Sequence, residues 1–298
     1  MVEQIFRAWL NKNMNENYII ISPVRNEEKY IADTLETVMA QRVKPFQWVI
    51  VNDGSTDKTA DIVAEAAGSN PWITMINCSD RGYAAVGQGI VEAFLKGYEL
   101  IRDSRQWGFL VKLDGDMALD KDYFEKLLKR FRENEKLGIA GGTCFCLEED
   151  NLHEERMPPF HPPASARMYR RRCYDDIGGL TRSNAWDTID LLRARFRGWE
   201  TRRFVDQKVY HHRIMSSRGG LWEGKTRTGR NLYLTGYSPF FLIARCIYRL
   251  FRKPYVIESA GVMLGYFRAM LKNEPPDVSP EEKSFLRREQ RHRLLKLN

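Results

Sequence analysis

The chain has no hydrophobic run long enough to cross a lipid bilayer. Its two most apolar stretches, 233–250 and 256–271, are interrupted by charged residues and fall short of the ~20 apolar residues of a spanning helix. Cysteine is also scarce, with an odd total of five, and the first residues lack a basic stretch followed by an apolar run. We therefore expect no secretory signal and a reducing, cytoplasmic location, which argues against a disulfide-bonded secreted protein.

Linkers, repeats and low-complexity tracts are absent from the first 224 residues. With 298 residues, 43% of them hydrophobic, the chain is long enough for one large domain, or for one domain with an appendage. Cys144 and Cys146 stand two positions apart with no second pair near them in the sequence. We therefore expect them to be buried thiols and not half of a zinc site.

Positive charge is unevenly distributed. Residues 225–298 contain 15 Lys and Arg against 6 Asp and Glu, whereas the remainder of the chain contains 32 against 33. The net charge of +8 therefore comes from the C-terminal quarter. Such a basic segment predicts an anionic partner, either nucleic acid or anionic lipid. No aromatic–basic motif of the known nucleic-acid-binding modules accompanies it, so we expect no nucleic-acid partner.

Short apolar segments alternate with amphipathic ones over the first half of the chain. This alternation predicts an α/β fold with a mostly parallel sheet that is covered on both faces. The expected strands are 18–22, 47–51, 72–76, 107–113 and 201–210, and the expected helices are 27–41, 57–67, 84–101, 123–131, 167–177, 187–196, 233–250, 256–271 and 283–296, with an irregular loop over 153–163.

Carboxylates follow two of the predicted strands. Asp53 follows the second strand, and Asp114 and Asp116 flank Gly115 after the fourth. Because ligands of parallel sheets bind beyond the carboxyl ends of the strands, we expect these acids to share one site. Asp53 is suited to accept hydrogen bonds from a base or ribose. The other two acids are suited to hold a divalent cation on a pyrophosphate, since hard cations prefer oxygen ligands.

Two adjacent histidines, His211 and His212, follow the last predicted strand. A neutral imidazole suits Mn²⁺ as a further protein ligand, and the expected cofactor is Mn²⁺ or Mg²⁺. Because neighbouring residues of a strand point to opposite faces, we expect at most one of the two to reach the metal. A structural histidine is an equal alternative.

Several segments carry motifs in a specific order and spacing. Ser22-Pro-Val-Arg-Asn-Glu-Glu28 resembles the P-V-x-N-E opening of family 2 glycosyltransferases, and residues 52–59 resemble the second signature of that family. Leu113-Asp-Gly-Asp116 resembles its metal motif, and residues 178–199 resemble its acceptor-side G-G-F … E-D … G-Y segment. The resemblance covers residues 18–213 and implies the GT-A fold, a nucleotide-sugar-binding α/β sandwich.

The resemblance also implies roles for particular residues. Counting back eleven residues from Gly198 places Asp187 on the catalytic Asp of the family, the general base, although Trp186 stands where the family often has Glu. Asp190 is the competing candidate, and capping a helix is the alternative role of Asp187. The metal ligands are expected among Asp114, Asp116, His211 and His212, and the residues implied to bind the donor are Pro23, Val24, Arg25, Glu27, Asp53, Arg81, Asp114 and Gly115.

The Gln-x-x-Arg-Trp sequence that marks processive members is absent. We therefore expect a metal-dependent, inverting enzyme that moves one sugar from a nucleotide diphosphate donor, with UDP favoured, to a hydroxyl of a cell-surface polysaccharide or lipid-linked acceptor. The alternatives are a nucleotidyltransferase of sugar activation and a non-enzymatic anion-binding protein. Nucleotidyltransferases usually have a Gly-rich basic loop after the first strand, and this chain does not.

We divide the chain into an N-terminal extension (1–17), a GT-A catalytic domain (18–224) and a basic amphipathic helical region (225–298). Large apolar residues interleaved with Lys and Arg suit helices that lie in a membrane interface. Peripheral contact through residues 231–298 at the cytoplasmic face of a membrane is thus one expectation. Packing of these helices on the catalytic domain or on another subunit is an equal alternative, and homo-oligomer formation is left open.

Overall fold

The computed structural model describes residues 16–80, 87–148, 151–155, 157–212, 220–249 and 255–295. These residues form two compact units. The first comprises the described parts of Met1–Arg182 and Arg197–Ile214, and the second those of Ser183–Phe196 and Met215–Asn298. From the sequence we placed boundaries after residues 17 and 224. The domain limits drawn from the sequence stay predictions, and only the last two residues of the N-terminal extension are described.

The first unit alternates strands and helices over its first half, as the sequence predicts. Its helices are α1 (Ile31–Met39), α2 (Thr59–Ser69), α3 (Gln88–Ile101), α4 (Tyr123–Glu133) and α5 (Arg171–Asp176). Its strands are β1 (Tyr18–Val24), β2 (Gln47–Asn52), β3 (Ile73–Asn77), β4 (Phe109–Leu113), β5 (Met117–Leu119), β6 (Leu137–Glu148), β7 (Asn151–Glu154), β8 (Ala166–Arg170) and β9 (Glu200–His211).

These strands form one sheet in the order β3-β2-β1-β4-β8-β6-β9-β5, with β7 paired to β6. Strands β1 to β4 are mutually parallel, β8 runs antiparallel to β4 and β6, and β5 runs antiparallel to β9. The predicted α/β class is confirmed. Val24 pairs with Asn52 and Ile21 with Lys112, so β1, β2 and β4 end at the same edge of the sheet.

The core explains why the first strands form. Residues 19–21 and 49–51 are completely buried, as expected for strands covered on both faces. Helix α1 buries Ile31, Leu35 and Val38, which share one face of the helix at its natural period. The carboxyl-terminal ends of β1 and β2 thereby rest on a buried apolar core.

One prediction further along the chain is wrong, and a second is wrong only at its first two residues. The sequence predicts one helix over 167–177, but these residues divide between β8 and α5. Strand β8 lies between β4 and β6 and is buried on both faces, so it lacks the apolar–polar alternation of a half-exposed strand. The stretch 153–163, expected to be irregular, begins with the end of β7.

The second unit is helical. It consists of α6 (Trp186–Phe196), α7 (Leu221–Leu234), α8 (Pro239–Arg249), α9 (Tyr255–Leu271) and α10 (Pro280–Leu295). Ala185, Ile189 and Leu192 pack with Val278 and Leu286 in one apolar cluster, and Leu242, Cys246, Val262 and Tyr266 form a second.

Helices α7 and α9 are in backbone contact. A Cβ atom added to Gly229 would overlap the carbonyl oxygen of Val262, and one added to Gly265 would overlap that of Thr226. Glycine is therefore required on both helices at this crossing.

The predicted helix over 233–250 is two helices. Helix α7 ends at Leu234, and α8 begins at Pro239 after Gly236, whose φ of 76° is left-handed. Proline suits the first turn of a helix because its missing N–H is not needed there. Within the described residues, no helix combines the length and the apolar character needed to cross a membrane.

Candidate functional site

Polar loops at the carboxyl ends of β1 and β2 contact one another. The backbone N–H of Asp53 donates a hydrogen bond to the carbonyl oxygen of Val24, at 2.9 Å. Pro23 lies in β1 itself, opposite Val51 of β2. The side chain of Asp53 is largely buried. Three of the residues expected to bind the donor therefore lie together where β1 and β2 end.

Arg25 ties the loop after β2 to the loop after β3. Its Nη1 donates to the carbonyl oxygen of Asp53 and its Nη2 to Oδ1 of Asp80, both at 2.6 Å. Gly54 makes this approach possible, because a Cβ atom there would lie 2.5 Å from Cα of Asp80. The guanidinium of Arg25 thus forms an ion pair with Asp80. Its second hydrogen bond holds the backbone of Asp53 in place.

Hydroxyls of the second motif shape the loop that follows β1. The backbone N–H of Asn26, at φ 55°, donates to Oγ of Ser55 at 3.0 Å, and its Oδ1 accepts from the backbone of Thr56 at 2.8 Å. The backbone N–H of Glu27 donates to Oγ1 of Thr59 at 2.8 Å. These bonds satisfy backbone groups that no strand or helix pairs. The two motifs therefore form one hydrogen-bonded structure.

Gly115 lets the loop after β4 approach the end of β1. A Cβ atom at this position would lie 2.8 Å from Cγ1 of Val24 and 3.4 Å from Cγ of Glu27. On either side of it, Asp116 is 5% exposed and the Asp114 side chain is 28% exposed. The loops that carry the expected acids of β2 and β4 thus both approach Val24.

Lys112 is a buried cation beside this loop. It is 1% exposed, and its Nζ forms an ion pair with Oδ1 of Asp114, which it reaches because the two residues are two positions apart along the chain. Burial raises the pKa of Asp114, the charge of Lys112 lowers it, and the charge of Asp116 raises it again, so the net change is an increase. A buried ammonium group needs such a partner.

His211 is brought to Asp116 by the pairing of β5 with β9. Met117, the residue after Asp116, lies opposite His211 in this antiparallel register. Nε2 of His211 is 3.0 Å from Oδ2 of Asp116, and both side chains are buried. Burial lowers the pKa of His211, but hydrogen bonds to Asp116 and Cys146, and the negative charges nearby, outweigh it and raise this pKa to about 10.

His212 points elsewhere. Its ring stacks on Tyr30 with centroids 5.4 Å apart, and its Nε2 lies 3.5 Å from Oδ2 of Asp33. Only its backbone N–H contacts Asp116, by a 3.1 Å hydrogen bond to the carbonyl oxygen. The geometry therefore favours His211 over His212 as a metal ligand, and the assignment itself stays a prediction.

Asp114, Asp116 and His211 fit a divalent cation by their chemistry. Two carboxylates and one imidazole are a donor set that suits Mn²⁺, and Asp116 and His211 are already in contact. The charge of Asp116 raises the pKa of Asp114, a repulsion that a cation would relieve. Asp114 would exchange its bond to Lys112 for the cation.

The chain matches the family described as Glycosyl transferase family 2 over residues 19–193, more than half of its length. It belongs to that family. Among its relatives are a poly-beta-1,6-N-acetyl-D-glucosamine synthase of Staphylococcus aureus (strain COL), 28% identical over 135 residues, and the glycosyltransferase GlyA of Streptococcus pneumoniae serotype 4, 27% identical over 178 residues. These matches cover 45% and 60% of this chain but only 30% and 23% of the relatives. The chain therefore spans less than a third of the length of either relative.

Solved structures of glycosyltransferases share the fold. The mannosyltransferase PcManGT of Pyrobaculum calidifontis, in complex with GDP-Man and Mn²⁺, superposes with a TM-score of 0.54 at 15% identity, covering 97% of this chain and 88% of that one. TarS 1-349 of S. aureus in complex with UDP-GlcNAc gives 0.52 at 15% identity, covering 91% and 78%. The GT-A fold and the prediction of a family 2 glycosyltransferase are confirmed.

The family match includes both acids considered as the general base. Asp187 lies in the first turn of α6 and is partly exposed. Asp190 is 2% exposed, and its Oδ1 accepts a 2.6 Å hydrogen bond from the backbone of Leu191. Both belong to the second unit. Exposure favours Asp187 as the acid that a substrate can reach, and its role stays a prediction.

Some residues at the site were not expected from the sequence. Lys112 could have been predicted from the sequence, because it is the one charged residue of β4 and stands two positions before Asp114. Asp80 could not have been predicted in this way, because only the folded loop brings its carboxylate to Arg25. Of the residues expected to bind the donor, Arg81 lies outside the described residues.

Two cysteines also lie near the site. All five cysteines are free, and Cys144 and Cys146 are buried, as expected. The sequence did not show that their sulfur atoms and a ring nitrogen of His211 would lie within 4.8 Å of one another.

Proposed function

We propose that the chain is a metal-dependent, inverting glycosyltransferase that moves one sugar from a nucleotide diphosphate donor to a hydroxyl of a polysaccharide or lipid-linked acceptor. One observation supports this most directly. The loop of Asp53 and the loop of Asp114 and Asp116 both contact Val24, and His211 lies 3.0 Å from Asp116. A nucleotide and a cation-bound diphosphate require such a grouping at the end of parallel strands.

Each group has a proposed task. Asp53, held through its backbone by Arg25, accepts hydrogen bonds from the base or ribose. A cation on Asp114, Asp116 and His211 would neutralise the charge that develops on the departing diphosphate. We assign the walls of the donor site to Pro23, Val24, Glu27 and Gly115, and the prediction for Arg81 lies outside the described residues.

Asp187 is proposed as the general base. Sugar transfer passes through an oxocarbenium-like state, and the attacking hydroxyl must lose its proton as the new bond forms. A carboxylate that accepts this proton accelerates the step by roughly 10²–10⁴-fold. Attack opposite the departing diphosphate inverts the anomeric carbon. The support for Asp187 is its place in the family motif and its exposure at the start of α6.

Related proteins support the proposed donor class. TarS 1-349 has been solved with UDP and with UDP-GlcNAc, and PcManGT with GDP-Man and Mn²⁺. The S. aureus relative is named for a polysaccharide that it makes from N-acetylglucosamine units. We therefore favour a UDP-sugar over a GDP-sugar, and UDP-GlcNAc is the first donor to test.

The proposal is tested by thermal unfolding of the full chain with UDP-GlcNAc, UDP-glucose or GDP-mannose, each with and without Mn²⁺. A ligand that binds only the folded state raises the Tm. We expect a UDP-sugar with Mn²⁺ to raise it more than either component does alone. If no nucleotide sugar changes the Tm with Mn²⁺ or Mg²⁺, the donor site is not where we place it.

A further inference from the structure

A cluster of buried sulfur and nitrogen ligands lies next to the proposed donor site. Cys144 and Cys146 stand two positions apart on β6 and therefore share one face of the sheet. In the parallel pairing of β6 with β9, Cys146 lies opposite His211. The two sulfur atoms and one ring nitrogen of His211 are all within 4.8 Å of one another. Their exposed fractions are 1%, 9% and 7%, so the cluster is shielded from solvent.

A fourth donor adjoins the cluster. The carboxylate of Glu155 lies beside the thiol of Cys144, and the backbone N–H of Glu155 donates to the carbonyl oxygen of Cys144 at 2.8 Å. Its Oε2 atom is buried, whereas the side chain as a whole is partly exposed.

The chemistry of these ligands differs from that of Asp114 and Asp116. Hard cations such as Mg²⁺ and Mn²⁺ prefer oxygen, whereas thiolates select softer ions such as Zn²⁺. In a tetrahedral zinc site with Zn–S of about 2.3 Å and Zn–N of about 2.0 Å, neighbouring ligand atoms are about 3.3–3.8 Å apart. The ligand atoms of this cluster, all within 4.8 Å of one another, would have to approach by at most about 1.5 Å to reach that spacing.

We propose that Cys144, Cys146 and His211, with Glu155 as the fourth donor, form a binding site for a soft divalent cation such as Zn²⁺. The site has sulfur ligands that the oxygen-rich one at Asp114 and Asp116 lacks, and the two sites compete for His211. Its occupation does not require a nucleotide sugar, so it can be measured whether or not the proposed function is correct.

The test is metal binding by the full chain after its metals have been removed with a chelator. Zn²⁺ affinity is measured by competition with a chromophoric chelator, and Co²⁺ is used as a spectroscopic probe because thiolate–Co²⁺ charge transfer reports sulfur ligation. We expect one tight Zn²⁺ equivalent and a thiolate–Co²⁺ band. In Cys144→Ser and Cys146→Ser the Zn²⁺ affinity should fall by at least about 100-fold. Loss of a residue that only hydrogen-bonds a metal ligand already lowers metal affinity by about 10–100-fold.

Cys246→Ser is the matched control, because Cys246 is equally buried but belongs to the second unit. Its Zn²⁺ affinity and Co²⁺ spectrum should equal those of the wild type. Circular dichroism establishes which variants are folded. The Co²⁺ spectrum of the wild type tests the site even if a variant does not fold. Absence of the thiolate band in the wild type, or equal Zn²⁺ affinity in the folded Cys146 and Cys246 variants, would overturn the site.

Discussion

At the scale of single residues, Asp116 is the central acid of the proposed metal site. Its carboxylate is 5% exposed and 3.0 Å from the imidazole of His211, with a second carboxylate two positions away. Asp116→Asn keeps the shape of the side chain but removes the charge that a cation requires. We expect this variant to lose Mn²⁺ binding in calorimetry and the Mn²⁺-dependent part of the Tm increase with UDP-sugar.

Asp206→Asn is the control for Asp116→Asn. Asp206 forms a surface ion pair with Arg130 at 2.8 Å, and such pairs contribute about 0–1 kcal/mol to stability. Its Mn²⁺ binding should equal that of the wild type. Unchanged Mn²⁺ affinity in a folded Asp116→Asn protein would remove Asp116 from the proposed metal site.

The general base is tested by substituting Asp187 and Asp190 separately. Asp187→Asn should lower the rate of sugar transfer by roughly 10²–10⁴-fold while leaving the donor affinity unchanged, because the proposed donor contacts are made by other residues. Turnover is measured as UDP release and donor affinity by calorimetry. Asp190→Asn, one turn along α6, is the comparison. If Asp190→Asn loses transfer while Asp187→Asn remains active, Asp190 is the base.

At the scale of secondary-structure elements, the crossing of α7 and α9 is the most constrained packing in the second unit. Gly265→Ala introduces a methyl group where the carbonyl oxygen of Thr226 already lies. Overpacking of this kind costs about 1–3 kcal/mol, and backbone contact places this site at the upper end. Urea unfolding should show the loss as a lower midpoint.

Gly68→Ala is the matched substitution for Gly265→Ala. Gly68 lies in α2 with no atom within 4 Å of its added Cβ. Alanine is favoured over glycine in a helix by about 0.5–1 kcal/mol, so this variant should be more stable than the wild type. Equal effects of the two substitutions would contradict the close packing of α7 on α9.

At the scale of the whole molecule, the basic C-terminal quarter carries exposed apolar residues on α8. Leu242 and Cys246 are buried in the second unit, whereas Phe240 is 81% exposed, Tyr248 61% and Ile247 54%. Helix α8 therefore has one packed face and one apolar face turned to solvent. A charge near an anionic surface adds about 1 kcal/mol per Lys or Arg, and buried apolar side chains add to it.

We therefore expect the full chain to bind anionic liposomes, with binding that weakens in salt but does not vanish, because the apolar part is not screened. Phe240→Ser with Ile247→Ser should reduce cosedimentation. Val205→Ser, at a residue that is 70% exposed in the first unit, should not. These substitutions are preferable to deleting residues 231–298, which would expose the apolar cluster that Val278 and Leu286 form with α6. If the full chain does not bind anionic liposomes at any ionic strength, the predicted membrane contact is wrong.

Much of the first unit could be predicted because its signals are local. The apolar runs of β1, β2 and β4 and the spacing of Ile31, Leu35 and Val38 in α1 are visible within a few residues of sequence. The residue at which each strand ends can also be recognised from a short stretch of sequence. Because parallel strands end at one edge of the sheet, this was enough to group Asp53 with Asp114 and Asp116. The two cysteines of β6 were likewise recognised as buried thiols.

Contacts between distant parts of the chain were decided only by the tertiary structure. His211 reaches Asp116 because β9 pairs with β5, and it reaches Cys146 because β9 also pairs with β6. β8 forms a strand because β4 and β6 satisfy its backbone on both sides, although its residues show no strand period. The sequence by itself determined the fold class, the family and the acids at the strand ends, because these depend on local periodicity and motif order. Which histidine meets which acid or thiol depends on strand pairing across the sheet, and local periodicity carries no information about that pairing.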